Sequence, residues 1–190
     1  GVTVVIPHLP NPNCEPAALI ATGRADASEM LVHSPYFHLE YYRYLNAGYR
    51  LPLVGGTDKM TGDVPVGLYR TYVYLPAEEE FTYENWCAAL KRGNTFLSGG
   101  PIIRFSVEGQ PPGSVIRLPA GQATVEVEAS VRSIFPVHTL QVVQRGEVVA
   151  STEESGGAKE LKLRTTLKVE GDSWLAARCG GPGYTSIPHH

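Results

Sequence analysis

The chain has 190 residues, a net charge of −3 at pH 7, 43% apolar residues and 18% charged residues. This composition is typical of a globular protein and excludes a disordered one. Lys and Arg are scattered, so we expect no nucleic acid partner. No apolar run approaches the roughly 18 residues that cross a membrane, so we expect no membrane-spanning segment.

Strand and helix signals alternate along the first hundred residues. Such alternation predicts a parallel sheet with crossover helices. A β-branched run opens the series and predicts a strand buried on both faces. The expected elements are a strand at 2–6, a proline-rich loop at 7–13, a helix at 15–21, strands at 29–32 and 51–54 on either side of a helix at 36–47, a strand at 70–75 and a helix at 82–91.

Helix ends in this part carry their usual residues. Gly23, Gly48 and Gly93 follow the three predicted helices, where glycine commonly ends a helix in the left-handed conformation. Thr82 is a candidate N-cap of the last helix, because its side-chain oxygen can accept a hydrogen bond from the first helical turn.

The period of apolar residues changes to two after about Pro101. Val125 and Val127 alternate with Glu126 and Glu128, which is typical of antiparallel strands with one buried face. Turn signals such as those at 108–113, 119–121, 145–147, 155–157 and 170–172 separate the apolar stretches. We therefore expect six or seven short strands in an immunoglobulin-like β-sandwich. The predicted domains are residues 1–100 and 101–190.

His8 and Asp58 are the candidate site residues. Each follows a predicted buried strand, and the carboxyl ends of parallel strands gather reactive groups at one edge of a sheet. An imidazole and a carboxylate at such an edge are common ligands of a hydrolytic metal site. Two alternatives stay open, because Asp58 could cap a turn and His8 could hold its proline-rich loop.

Other histidines are weaker candidates. His33 and His38 flank Pro35 and could reach the same edge, although an ordinary surface or loop position is the favoured interpretation. His189 and His190 form a terminal pair that could bind metal ions adventitiously.

Several motifs in a fixed order resemble the CehA/McbA family, a branch of the PHP (polymerase and histidinol phosphatase) superfamily of metal-dependent hydrolases. The similarity extends over essentially the whole chain. The motifs are YYRYLNAGYRLP at 41–52, GGTDKM at 55–60, RTYVYL at 70–75, FTYENW at 81–86, RGNTFLSGGP at 92–101 and SWLAARC at 173–179.

The resemblance implies a partial, PHP-barrel-like β/α sheet followed by a β-sandwich, with zinc or manganese as cofactor and a small-molecule substrate. It implies that His8 and Asp58 are metal ligands. Two departures from the family pattern matter. The chain has no His-x-His motif, and Met60 replaces the histidine of the family's Asp-x-His motif. Met60 is a poor ligand for hard divalent cations.

We therefore interpret the chain as a carboxyl-terminal fragment of a PHP-type hydrolase of ester, amide or phosphoester bonds. By itself the chain is expected to be inactive and to bind metal weakly or not at all. The alternatives are a non-catalytic β-sandwich binding module on an α/β scaffold and a degenerate relative with an interaction role. The apolar strand at 2–6 would leave an uncovered sheet edge, which favours a homodimer.

Overall fold

The computed structural model describes residues 2–9, 15–30, 37–119 and 121–181. The chain divides into two compact units, Gly1–Gly99 and Gly100–His190. Its fold is mixed α/β, with one parallel sheet and two antiparallel sheets among the described residues. No helix in the described ranges is both long and apolar enough to span a bilayer.

The first unit contains the predicted parallel sheet. Its elements are β1 (Val5–Leu9), α1 (Pro16–Ala21), β2 (Ala27–Met30), α2 (Phe37–Asn46), β3 (Leu53–Val54), β4 (Arg70–Val73), α3 (Tyr83–Arg92) and β5 (Thr95–Ser98). Strands β1, β2 and β3 lie in sequence order, and strands β4 and β5 pair antiparallel in a separate sheet. The pairing confirms the parallel arrangement, whereas β5 was not predicted.

Strand β1 lies three residues later than the predicted strand at 2–6. The Val4 amide donates to Oδ2 of Asp26 over 2.8 Å, and regular pairing with β2 begins at Val5. The strand then continues through Pro7, so the loop predicted from that residue is wrong over its first three positions. Proline is tolerated there because, among the described strands, β1 lies at the edge of the sheet and pairs with β2 alone.

The prediction that β1 is buried on both faces is also wrong. Ile6 and Leu9 are buried, but Val5 is partly exposed, because its side chain borders an open groove beside α3 and does not join the core that contains Ile6. Two small cores flank the parallel sheet, and they lie against different helices. Ile6, Ile20 and Leu51 pack with α1 and α2, whereas Ala27, Val54 and Leu90 pack with Trp86 of α3.

The helices follow their sequence signals within one or two residues. Thr82 caps α3 by accepting a hydrogen bond from the amide of Asn85 over 3.2 Å. Gly93 ends the same helix with a φ of 82°. Both the cap and the stop are therefore confirmed, because local capping chemistry decides where this helix begins and ends.

The second unit is built on one long hairpin. The described strands are β6 (Ile102–Val107), β7 (Gln122–Gln144), β8 (Glu147–Glu170) and β9 (Leu175–Gly180). Arg145 and Gly146 connect β7 to β8 with φ angles of 51° and 102°, in the left-handed region that a two-residue hairpin turn requires. The turn predicted at 145–147 is confirmed.

A break in register between Arg132 and Val137 divides strand β7 into two halves. The first half pairs with β6 and the second with β9. Val131 and Leu140, one from each half, lie in the same hydrophobic core. The described part of this unit therefore has four strands, where six or seven were expected. The turn signal at 155–157 becomes an irregularity within β8, at a second register shift between Val137 and Thr139.

Candidate functional site

His8 lies near the carboxyl end of edge strand β1, where the ladder is irregular. The pairing with β2 shifts register between Ile6 and Leu9, and His8 itself has a φ of 57°. Its backbone amide donates to Oε2 of Glu29 over 3.2 Å. A residue in the left-handed conformation bends the backbone away from the regular strand. This bend sets the position of the His8 imidazole.

Asp58 lies in the segment after β3. Hydrogen bonds with Thr71 of β4 and with Tyr69 hold this segment in place. The Gly55 amide donates to Oγ1 of Thr71 over 3.0 Å, and the Thr71 hydroxyl donates to the Gly55 carbonyl over 2.8 Å. The Thr57 hydroxyl donates to the carbonyl of Tyr69 over 3.2 Å. Asp58 follows with a φ of 50°.

The structure brings the two predicted site residues together. Nε2 of His8 lies 3.5 Å from Oδ1 of Asp58, and the side chains are 37% and 35% exposed. This separation is longer than the roughly 2.7–2.9 Å of a strong charge-assisted hydrogen bond. Two ligand atoms bound at about 2.0–2.1 Å to one tetrahedral ion stand about 3.4 Å apart, so the pair fits shared coordination of a cation.

Glu29 is a third polar residue at this place, and the sequence analysis missed its role. Besides accepting from the His8 amide, its carboxylate lies against Gly56, where a methyl group would clash with Oε1 of Glu29. The available signal was a carboxylate in the middle strand of a parallel sheet, where charged side chains are uncommon.

The described residues contain no group of three or more His, Cys, Asp and Glu side chains arranged to hold a metal ion. Glu29 contacts His8 through the backbone amide, and the side chains that meet at this place are those of His8 and Asp58. Two protein ligands leave most of a cation's coordination shell to other groups.

A groove of about 340 Å³ adjoins Glu29 on the face of the sheet that α3 covers. Glu29 supplies its charged group, and Val5, Val54, Trp86 and Leu90 contribute apolar surface. A groove lined in this way suits a neutral group better than an anionic one, because it offers a carboxylate and no cation.

The remaining candidates lie elsewhere or outside the described ranges. The His38 ring makes an edge contact with Tyr42 of its own helix, with centroids 5.2 Å apart. Met60 is 80% exposed. His33, His189 and His190 lie outside the described residues.

Comparison of the chain with family models, curated proteins and solved structures gives no match. The CehA/McbA resemblance therefore rests on the motifs quoted above.

Proposed function

We propose that this chain is part of a metal-dependent hydrolase of the PHP type, similar to the CehA/McbA branch, and that His8 and Asp58 bind its divalent cation. The observation that carries the proposal is the 3.5 Å separation between Nε2 of His8 and Oδ1 of Asp58. Strand ends of a parallel sheet are also where hydrolytic β/α enzymes hold their metals.

The arrangement of the first unit supports a partial β/α barrel. Strands β1, β2 and β3 are parallel and adjacent in sequence order, and α1 and α2 pack on the same face. Parallel strands joined in sequence order by helices on one face are the repeating unit of a β/α barrel. Helix α3 covers the opposite face, which a closed barrel fills with its own strand side chains. In the second unit, both halves of the β7–β8 hairpin enclose one core, which supports a β-sandwich.

The site residues have distinct roles in this proposal. His8 offers a neutral imidazole nitrogen and Asp58 a carboxylate oxygen, the donor types that zinc and manganese accept. Glu29 holds the backbone of His8 through its amide. A divalent cation bound there would lower the pKa of a coordinated water and polarise the scissile bond. The adjoining groove would receive a neutral part of the substrate.

Metal binding can be tested on this chain by NMR. The background carries His189→Ala and His190→Ala, so that the terminal pair does not compete for metal. Substoichiometric Mn²⁺ should broaden the His8 imidazole signal, and Zn²⁺ should reverse the broadening. Asp58→Asn should reduce the broadening at least fivefold, and His38→Ala should leave it unchanged. If Mn²⁺ broadened the His8 and His38 signals equally, the result would contradict a metal site formed by His8 and Asp58.

Hydrolysis is tested on the full natural protein loaded with Zn²⁺ or Mn²⁺. Loss of a metal ligand should lower kcat by about 100-fold or more on aryl esters, anilides or phosphodiesters, since even loss of a group that only orients a ligand costs about 10–100-fold. His8→Ala and Asp58→Asn are the test variants, and His38→Ala is the control. Full activity in both test variants would refute the assignment.

A second candidate function is a binding role for the β-rich unit. Its specific support is the exposure of Ile134 and Phe135, which are 78% and 68% exposed near the register break of β7. Aromatic side chains exposed on a β-unit are common contacts for sugars or proteins. A glycan array probed with wild type and Phe135→Ala would test it, with binding that depends on Phe135 as the expected result.

A further inference from the structure

A depression of about 400 Å³ lies on the outer face of the second unit's sheet, away from its core. Pairing of β6, β7 and β8 places Arg104, Ser130 and Lys162 in one row across three strands. A small serine between two long side chains leaves a hollow above the middle strand. This row therefore forms the centre of the depression.

The next row completes the lining. Ile102, Arg132 and Glu160 lie side by side on the same three strands. The Glu160 carboxylate is 3.0 Å from Lys162 and 3.4 Å from Arg132. The hydrogen bond from Lys162, with the charge of Arg132, lowers the pKa of Glu160, so this carboxyl is ionised at neutral pH.

The lining therefore carries three cations and one carboxylate, an excess of two positive charges on a chain with a net charge of −3. The Arg104 side chain makes no hydrogen bond or ion pair with any residue that the structure describes. The neighbouring row adds no free cation, because Arg164 lies 3.2 Å from both Glu126 and Glu128.

We propose that this depression binds a small molecule through a phosphate or sulfate group, held between Arg104 and Lys162 above Ser130. A phosphate monoester carries about 1.5–2 negative charges at pH 7 and matches the excess of two positive charges, whereas a sulfate ester carries a single charge. Guanidinium and ammonium groups donate charge-assisted hydrogen bonds to the oxygens of either group. The Ser130 hydroxyl is a further donor. The exposed Ile102 gives an apolar surface for the rest of the molecule. The proposal is independent of His8 and Asp58.

The test is an amide NMR titration of the full chain at low ionic strength, with chloride as the reference salt. Inorganic phosphate and inorganic sulfate should both give saturable shifts at the amides of Arg104, Ser130 and Lys162. Acetate should bind at least fivefold more weakly. Tighter binding of phenyl phosphate than of inorganic phosphate would identify an ester as the ligand, and equal affinity would identify the free ion.

Three variants should affect the Kd for phosphate differently: one should raise it, one should lower it and one should leave it nearly unchanged. Arg104→Gln should raise the Kd for phosphate about tenfold, because it removes a charged donor. Glu160→Gln should lower the Kd several-fold, because it removes the only carboxylate of the lining. A variant that merely failed to fold would not bind phosphate more tightly. Lys168→Gln is the matched control on the same face of β8, about 20 Å from Lys162, and should change the Kd less than twofold. Equal effects of Arg104→Gln and Lys168→Gln, or linear shifts at all surface cations, would overturn the proposal.

Discussion

Nε2 of His8 lies 3.5 Å from Oδ1 of Asp58, and both residues have a left-handed backbone, with φ angles of 57° and 50°. An L-residue in this conformation costs roughly 1–2 kcal/mol, although Asp and His accept it more readily than most. Strained residues that meet at one place are typical of functional sites. The backbone of each residue can therefore be tested separately from its side chain.

At position 8 we expect His8→Gly to be more stable than His8→Ala by about 1 kcal/mol, because glycine adopts a positive φ without a steric cost. Chemical denaturation measures the difference. At Leu39, an exposed position inside α2, the alanine variant should instead be more stable than the glycine variant by about 1 kcal/mol. An alanine variant at position 8 as stable as the glycine variant would show that His8 is not strained.

Two adjacent glycines should respond differently to alanine. A methyl group at Gly55 would stand 2.9 Å from Cβ of Leu97, an atom fixed to the backbone of β5, so Gly55→Ala should cost about 1–3 kcal/mol of stability. A methyl group at Gly56 would meet only the flexible end of Glu29. Gly56→Ala should therefore cost less than about 1 kcal/mol but displace the carboxylate from the His8 amide.

The displacement can be followed at the His8 amide. Gly56→Ala should shift its NMR signal in the same direction as Glu29→Ala does, and the double variant should add little further. Gly55→Ala should leave that signal near its original position. Additive shifts in the double variant would mean that Gly56 does not act through Glu29.

The start of β1 should loosen in acid. The Val4 amide donates to the carboxylate of Asp26, and Lys91 lies 3.2 Å from it; these contacts hold the pKa of Asp26 below its ordinary value near 3.8. A lowered folded-state pKa contributes stability above the unfolded pKa, and this contribution is lost as the pH falls through the folded value. Because the Asp26 side chain is still 30% exposed, solvent screens these contacts and the effect should be small.

Asp26→Asn should therefore lower the free energy of unfolding near pH 7 and have less effect below about pH 3. Denaturation of both proteins across this range measures the difference. Glu147→Gln, at the exposed start of β8, is the control. A difference between wild type and Asp26→Asn that does not change with pH would show that the carboxylate charge is not involved.

Helix α3 should depend on its cap. Thr82→Ala removes the acceptor for the Asn85 amide and should cost about 1 kcal/mol, whereas Thr82→Ser keeps the acceptor and should cost much less. Thermal or urea unfolding measures both. Equal losses in the two variants would assign the effect to the Thr82 methyl group and not to the cap.

The exposed edge at the beginning of the chain is expected to mediate a homodimer. Val2 and Val4 are 82% and 42% exposed, and in the described residues β1 pairs only with β2. Apolar side chains beside an unpaired strand edge favour association. Light scattering at several concentrations should detect a dimer, and Val4→Lys should shift it to monomer. A strict monomer for the wild type would contradict this expectation.

The sequence by itself determined the elements whose signals are local. The caps of α3, the turn at Arg145 and Gly146 and the one-sided burial around Val127 follow from capping chemistry, positive φ angles and a period of two. It also identified His8 and Asp58 as strand-end residues that a parallel sheet brings to one edge. These features depend on a few neighbouring residues, so they can be read without knowing the partners.

Only the tertiary structure decided the features that depend on what each strand meets. The Asp26 carboxylate accepts a hydrogen bond from the Val4 amide just before β1 begins, and Val5 is exposed where it borders the groove beside α3. Glu29 acquires its role because β2 places it beside His8 and Gly56, which are distant in sequence. Register likewise aligns Arg104 with Lys162 across β7. Pairing between residues that are distant in sequence sets these relationships, so a local pattern of residues does not predict them.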